Sequence, residues 1–272
     1  MEYEITPQDK FKLRIKELWQ YRELLYFFTW RDIKVKYKQT VIGFAWAVLQ
    51  PFLLMVIFSV FFGKALQVSS ENIPYPVFVF SGLLLWNVFS SGLSAAGNSM
   101  VSNANIIKKI YFPRLIIPVS AILVAVFDFF MAFLIYISLL IYYGISISPI
   151  KALLFIPGSL FLTMFATIGP GCLLAALNIK YRDFRYVIPF LIQSLLFITP
   201  VIYPLSIVQN PLLKILLAFN PMYAAIELFR AVIIDKPLNE NLLMMSLAST
   251  LFFFLLGLYY FRKTEAYFAD LA

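Results

Sequence analysis

Six long apolar stretches constrain the fold of this chain more than any other feature of its sequence. They cover residues 41–63, 77–97, 118–143, 152–177, 187–203 and 243–261, and a single charged residue, Asp128, falls inside them. A helix needs about 20 residues to cross the hydrocarbon core of a membrane, whereas spanning β-strands are about 10 residues long and alternate polar with apolar side chains. The pattern therefore predicts an all-α integral membrane protein with six transmembrane helices, the fifth of which is short by itself.

The composition excludes two other classes of protein. Hydrophobic residues make up 62% of the chain and charged residues 13%, whereas a soluble domain is about half apolar and about a quarter charged. So much apolar surface could not be covered in water, and a disordered chain has low hydrophobicity. The chain has no histidine and one cysteine, Cys172, which excludes an internal disulfide framework and removes the commonest metal ligand. We therefore expect no catalytic residue and no metal site.

The basic residues indicate how the chain is oriented in the membrane. Of the 22 Lys and Arg residues, 17 lie in residues 1–40, in the connections after the second and fourth stretches, and after residue 261. Cytoplasmic segments carry such an excess, so both termini are expected on the cytoplasmic side. The net charge of +8 is then an orientation signal rather than a sign of nucleic-acid binding. The first residues lack the apolar core of a cleavable signal peptide, so the first span is expected to direct insertion.

Two segments outside the spans predict helices on the cytoplasmic side. Residues 9–28, within a cytoplasmic segment 1–40, predict an amphipathic helix that lies flat at the membrane interface or packs on a partner protein. Residues 104–112 predict about two turns of helix, which Pro113 ends. The apolar side chains of this second helix, available for docking a partner or for packing on the chain's own helices, are Ile106, Ile107, Ile110 and Tyr111.

The segment between the fifth and sixth spans predicts a pair of short helices. Its two apolar pieces, residues 211–219 and 221–234, each begin with Asn-Pro, which suits the N-cap and the first helical position. Neither piece is long enough to span, so we expect a re-entrant helical hairpin over about residues 210–235. Glu227 and Arg230 lie three residues apart and can pair on one helix face. The hairpin is interpreted as an outer gate, with a structural cap over the bundle as the alternative.

Asp128 needs a partner that the sequence does not identify. It lies near the middle of the third span, where a charge costs about 2.5–3.5 kcal/mol on the insertion scale. We therefore expect Asp128 to face the bundle or a subunit interface and to accept a hydrogen bond.

One stretch carries a resemblance to a known family. Residues 31–51, RDIKVKYKQTVIGFAWAVLQP, closely resemble the start of type-2 ABC transporter permeases of the polysaccharide (O-antigen and teichoic acid) export family. Residues 181–183 (YRD) and 220–222 (NPM) also fit, and the resemblance extends over about residues 10–265. It implies a half-transporter that forms a homodimer and binds two copies of a separate ATPase, which would hold ATP and Mg. The substrate would be a glycan on an undecaprenyl diphosphate lipid, and the location the inner membrane of a bacterium.

The resemblance also assigns residues to the transport cycle. The helix at 104–112 matches the coupling helix that contacts the ATPase, with the coupling residues Asn103, Ile106, Ile107, Lys108, Ile110 and Tyr111. The turn around residues 40–43 would flank the cytoplasmic entrance, and the hairpin would match the outer gate. The gate residues are therefore Thr40, Gly43, Glu227 and Arg230.

Two further sets of side chains suit a lipid-linked glycan, because sugar rings stack on aromatic side chains and phosphates attract basic ones. The aromatic residues expected along the pathway are Tyr37, Trp46, Trp86, Phe89, Phe197 and Tyr203, although aromatic residues also face lipid or pack in the core. The basic residues that could attract the diphosphate at the entrance are Arg31, Lys34, Lys36 and Lys38, and the orientation signal explains them equally well.

These features together predict the permease subunit of an ATP-driven exporter that moves undecaprenyl-diphosphate-linked polysaccharide of the O-antigen type across the cytoplasmic membrane. Residues 41–261 would form one transmembrane domain and residues 262–272 a cytoplasmic tail. The chain has no G-x-x-x-x-G-K-[ST] motif, so ATP hydrolysis is expected on the partner. The alternatives are a teichoic acid or capsule exporter permease, a type-2 permease for a small lipid or drug, and a membrane enzyme that modifies lipids or glycans. The carboxylates available to such an enzyme, which lie at different depths, are Asp128, Asp183 and Glu227.

Overall fold

The structure, a computed structural model, describes residues 15–38, 43–181, 183–234, 237–265 and Phe268. These residues form helices joined by short connections and contain no β-strand. In chain order the helices are α1 (Ile15–Gln20), α2 (Arg22–Lys38), α3 (Ala45–Phe58, continued by a π-helical segment Ser59–Ala65), α4 (Tyr75–Ser102), α5 (Ala104–Lys109), α6 (Ile116–Tyr142), α7 (Pro149–Lys180), α8 (Phe184–Ile198), α9 (Pro211–Ala218), α10 (Met222–Arg230) and α11 (Glu240–Glu265). The all-α membrane fold expected from the sequence is confirmed.

Five of these helices are long and apolar enough to cross a membrane: α3 with its π-helical continuation, α4, α6, α7 and α11. The predicted fifth span, residues 187–203, is too long at its C-terminal end, because α8 has 15 residues and stops at Ile198. Proline at position 200 disfavours the helical conformation of the residue before it, and Thr199 accordingly has an extended ψ of 134°. A sixth crossing by length is reached only if α9 and α10 are counted as one bent span.

Helices α9 and α10 are the predicted pair of short helices, which we call the hairpin, and the chain bends by 95° between them. Asn210 caps α9, because its Oδ1 accepts a hydrogen bond of 2.9 Å from the backbone N–H of Leu212. Asn220 does the same for α10, accepting a bond of 2.9 Å from the N–H of Met222. The two Asn-Pro pairs therefore start the two helices, as the sequence indicated.

The N-terminal helix is longer than residues 9–28, the extent that the sequence predicted. In its described part the helix is interrupted at Tyr21 and then continues as α2 to Lys38. Residues 29–38 contain neither glycine nor proline, so nothing in the sequence ends the helix there. Gly43, whose φ is +58°, starts the turn into α3.

Helix α4 forms the centre of the bundle and packs against α3, α6, α7, α8 and α10. Of its most apolar 18 residues, 78% are buried within the chain, against 11% for α3 with its π-helical continuation. In a membrane, an apolar helix that is so little buried contacts either lipid or another protein surface. Helix α3 is therefore free in one chain to contact lipid or a second subunit.

Helices α7 and α11 cross with their backbones in contact, and glycine makes this possible. A Cβ atom at Gly169 would overlap the backbone of Phe253 and Phe254, and one at Gly257 would overlap the carbonyl of Gly169. Small residues at such crossings let membrane helices approach closely. Gly158, in the same helix α7, has nothing within 4 Å of its Cβ position.

This difference predicts opposite effects for one substitution at two positions of α7. Gly169→Ala should destabilise the chain by about 1–3 kcal/mol, because overpacking forces two backbones apart. Gly158→Ala should be neutral or stabilise by up to ~1 kcal/mol, because alanine is the better helix former. Thermal unfolding of the purified chain in detergent, followed by size-exclusion chromatography, measures both. Equal unfolding temperatures for the two variants would contradict the close crossing.

Candidate functional site

A cleft of about 390 Å³ opens among α2, α3, α4, α6 and α8. We call it the α2 cleft. Its polar and aromatic lining residues are Lys36, Tyr37, Trp46, Gln50, Asn87, Ser90, Ser91, Ser94, Asp128, Phe129 and Gln193. Membrane helices otherwise turn apolar side chains to their surroundings, so this concentration of polar groups marks the place where a hydrophilic substrate could be accommodated.

Asp128 finds its partners in this cleft, on a helix far away in the sequence. Lys36 Nζ lies 2.5 Å from Oδ2 of Asp128, and the hydroxyl of Tyr37 donates to Oδ1. Burial, with the Asp128 hydrogen bond and charge adding to it, raises the pKa of the Tyr37 hydroxyl, so Tyr37 stays protonated and remains a donor. Lys36 therefore balances the charge of the carboxylate at the middle of α6, and Tyr37 fixes the position of this carboxylate by a hydrogen bond.

Helix α2 brings these two residues to Asp128 because it packs along α6. Phe28 contacts Phe112 with ring centroids 5.7 Å apart, and Ile33 and Tyr37 pack with Val124. The C-terminal end of α2, which lies beyond the predicted helix 9–28, consequently packs against the middle of α6. The exposed aromatic side chains that α1 and α2 leave for an interface are Trp19, Tyr26, Phe27 and Trp30.

A polar face on α4 extends the cleft toward the end of the bundle that carries α5. Asn87, Ser91, Ser94 and Asn98 follow one another at spacings of four, three and four residues, which places them on one side of a helix. Asn98 accepts a hydrogen bond of 3.1 Å from the side chain of Asn178. These residues were not among those predicted from the sequence, although the spacing of polar residues within an apolar span was a signal for this face.

The aromatic residues predicted along the pathway fall into three environments. Tyr37 and Trp46 line the α2 cleft. Trp86 and Phe89 lie in the buried core, with their ring centroids 5.3 Å apart. On and after α8, the side chain of Phe197 is exposed, and the hydroxyl of Tyr203 donates to the carbonyl of Phe197. The structure therefore brings two of the six into one site.

Among the four basic residues predicted to attract a diphosphate, Lys36 lines the cleft. Arg31 instead binds Asp32 and donates a bond of 3.0 Å to the side chain of Asn103, which ties α2 to the start of α5. Lys34 lies over the ring of Trp30, 5.3 Å from its centroid. Lys38 is exposed at the end of α2.

Gly43 and Thr40 were the two gate residues predicted at the entrance. Gly43 precedes α3 in open space, with nothing within 4 Å of its Cβ position. Thr40 lies outside the described residues.

Helix α5 ends at Lys109, three residues before the predicted end of this helix at residue 112, and Ile110 already has an extended backbone. The predicted coupling residues on and just after α5 are partly buried and partly exposed. Ile107 is buried, with 5% of its surface exposed, and belongs to the core cluster that includes Phe28 and Phe112. Ile106 is half-buried in the same cluster. Tyr111 is 72% exposed and Ile110 and Lys108 are exposed beside it. Of the predicted coupling residues, Lys108, Ile110 and Tyr111 are therefore the ones exposed to a partner.

Arg230 links the hairpin to the residues that follow α8. It is fully buried, and its Nη1 and Nη2 donate bonds of 2.8 and 2.7 Å to the carbonyls of Pro200 and Val201. The guanidinium also lies 3.7 Å from the ring centroid of Phe78 on α4, and its Nε lies 3.4 Å from Ser81 Oγ. The described hydrogen bonds of Arg230 thus go to these groups, not to Glu227, the partner that the sequence spacing suggested.

Glu227 faces a second cleft, of about 310 Å³, under the hairpin. Its other charged lining residues are Glu71, Lys214 and Arg230. Glu71 accepts a hydrogen bond of 2.9 Å from Ser206, which links the loop before α4 to the segment after α8. The predicted outer gate is therefore a hairpin packed over a charged cleft.

The sequence as a whole was compared with known proteins. Residues 23–234 match the family described as ABC-2 type transporter. The chain is 29% identical over 237 residues to the O-antigen export system permease protein RfbA of Myxococcus xanthus, covering 86% of this chain and 89% of the relative. It is 28% identical over 249 residues to the RfbA protein of Klebsiella pneumoniae, covering 92% and 95%. It is 24% identical over 239 residues to the polysialic acid transport protein KpsM of Escherichia coli, covering 86% and 91%.

Proposed function

Because the chain belongs to the ABC-2 type transporter family, we propose that it is the membrane-embedded permease subunit of a polysaccharide exporter. The observation that carries this function is the similarity to export permeases over nine-tenths of the chain, 92% for the Klebsiella relative. The α2 cleft agrees with it, since it places polar and aromatic side chains together among apolar helices. A glycan of the O-antigen type is proposed, because the relatives of higher identity carry that name.

The motor of this exporter is a separate ATPase, which binds ATP and Mg²⁺. The sequence of this chain contains no P-loop motif that could serve instead. The exposed residues at the end of α5 and just after it, Lys108, Ile110 and Tyr111, support the contact with this ATPase. An exposed tyrosine flanked by an isoleucine and a lysine has the composition of an interface anchor. The chain itself contributes the path and converts ATPase movements into opening of that path.

The permease acts as a homodimer with two ATPase subunits. Helix α3, of which so little is buried in one chain, supports this assembly. Its exposed residues Leu53, Val56 and Ile57 form an apolar surface that a second copy would cover. With the α5 end on the cytoplasmic side, as the basic residues indicate, the hairpin faces outward.

The substrate is a glycan carried on undecaprenyl diphosphate. Lys36 supplies a cation for the diphosphate, and Trp46, whose side chain is half exposed, supplies a ring against which a sugar can stack. The polar face of α4 offers hydrogen bonds to hydroxyl groups.

Co-expression with a candidate exporter ATPase from the same organism tests this function. A tag on this chain alone should recover the ATPase in equal amount, and the complex should restore surface polysaccharide to a strain that lacks its own export permease. Recovery of this chain alone, with no export in that strain, would contradict the proposal.

A further inference from the structure

The ion pair in the α2 cleft joins two residues that differ in their freedom to move. The side chain of Asp128 is 16% exposed and that of Lys36 is 44% exposed. Tyr37 donates a hydrogen bond to Asp128 Oδ1, whereas the hydrogen bond from Lys36 goes to Oδ2. Lys36 also has a flexible four-carbon stem at the end of α2. The anion is therefore fixed and the cation can leave it.

The position of the pair makes its cation a target for a substrate anion. Lys36, Tyr37 and Asp128 all line the α2 cleft, so a ligand in the cleft meets the ammonium group and the carboxylate together. A negative ligand group that comes close to Asp128 is repelled by the carboxylate, unless the ammonium group of Lys36 lies between the two anions. When Lys36 moves away, the bond from Tyr37 still stabilises the carboxylate.

We propose that Asp128 is a built-in competitor for the diphosphate of the substrate, and that the two anions exchange on Lys36. The inference rests on the proposed function, which supplies the diphosphate lipid. Before the substrate enters, Asp128 occupies Lys36; the diphosphate displaces it, and Asp128 recaptures Lys36 as the substrate moves on. Asp128 thereby makes binding weaker and release faster, which a transport site needs more than it needs affinity. A neutral lipid cannot displace the carboxylate, so the exchange also selects for charge.

The exchange can be observed in the unmodified chain. A carbodiimide activates a carboxylate and couples it to an amine in contact, and it should link Asp128 to Lys36 in chains held in lipid nanodiscs. Undecaprenyl diphosphate should lower the yield of this linked peptide in mass spectrometry about tenfold if it displaces Asp128 in roughly nine-tenths of the chains. Undecaprenol, the same lipid without the diphosphate, should leave the yield unchanged. An undiminished yield in chains shown to have bound undecaprenyl diphosphate would overturn the exchange.

Variants test the same idea through affinity. Asp128→Asn removes the charge but keeps an oxygen that can accept from Tyr37. If the pair is closed about nine-tenths of the time, this variant should bind undecaprenyl diphosphate roughly tenfold more tightly than the unmodified chain. Lys36→Gln should bind it more weakly, and the double variant should match Lys36→Gln. Lys64→Gln, which removes an exposed lysine at the other end of α3, is the control and should bind like the unmodified chain.

The outcomes separate this inference from the proposed function. If Asp128→Asn weakens binding as Lys36→Gln does, Asp128 is a positioning residue for Lys36, and the exchange is wrong while the diphosphate site stands. If the unmodified chain binds undecaprenyl diphosphate and undecaprenol equally well, the proposed substrate class fails and the exchange fails with it.

Discussion

Arg230→Met is expected to give a chain that no longer accumulates in folded form. The substitution leaves the buried carbonyls of Pro200 and Val201 without donors, and each such group costs about 1–3 kcal/mol. It also removes the cation over Phe78, so the contacts of Arg230 that link α10 to the segment after α8 and to α4 disappear together. Against a total stability of about 5–15 kcal/mol, this loss is large. Yield and thermal unfolding of the purified chain measure it.

Two comparisons make this prediction specific. Arg230→Lys keeps the charge but not the planar fork that reaches two carbonyls, so we expect an intermediate stability. Arg185→Met makes the same change at an exposed arginine of α8 and should alter the unfolding temperature little. A folded Arg230→Met chain with the unfolding temperature of the Arg185→Met chain would show that Arg230 does not hold the hairpin.

Tyr111→Asp is expected to abolish export while leaving the chain folded. The side chain is 72% exposed, so a carboxylate there disturbs no packing within the chain. An aromatic anchor in an interface is worth about 2 kcal/mol or more, so its loss should weaken ATPase binding roughly thirtyfold. The ATPase recovered through a tag on this chain and the surface polysaccharide of the producing strain measure the two consequences.

Two other residues provide the controls. Tyr142→Asp alters an equally exposed tyrosine at the opposite end of the bundle and should leave ATPase recovery unchanged. Ile107→Asp should instead destabilise the chain, since Ile107 packs in the core beside Phe28 and Phe112. Normal ATPase recovery and normal export with Tyr111→Asp would remove α5 from the coupling path.

The features that could be predicted from the sequence are those set by neighbouring residues. Apolar runs as long as a membrane is thick predict spanning helices whatever their surroundings. The two Asn-Pro pairs predict the starts of α9 and α10, because a cap acts on the N–H groups two or three residues ahead. The end of α8 was also determined locally, by the proline at position 200. The prediction extended this span past the end of the helix because the apolar run continues beyond it.

The site depended on contacts between distant segments, which a single sequence does not specify. Lys36 and Asp128 are 92 residues apart, and no local pattern joins them. Trp86 and Ile107 were predicted at functional surfaces from their chemistry, yet the packing of their helices turns both into the core. Arg230 lies three residues from Glu227, but its described hydrogen bonds go to groups elsewhere in the chain, among them the carbonyls of Pro200 and Val201. Tertiary packing decides the direction in which a side chain points, so the surroundings of these residues could not be predicted from the sequence alone.

The most direct test of the central claim is transport by the purified complex of this chain and its ATPase in proteoliposomes. Lipid-linked glycan is placed in the leaflet from which the ATPase is accessible, and a glycosidase sealed within the vesicles reports its arrival on the other side. The account predicts glycan cleavage that requires ATP and Mg²⁺ and that falls to the background level with Tyr111→Asp. Cleavage at the same rate with ADP, or with vesicles that lack this chain, would contradict it.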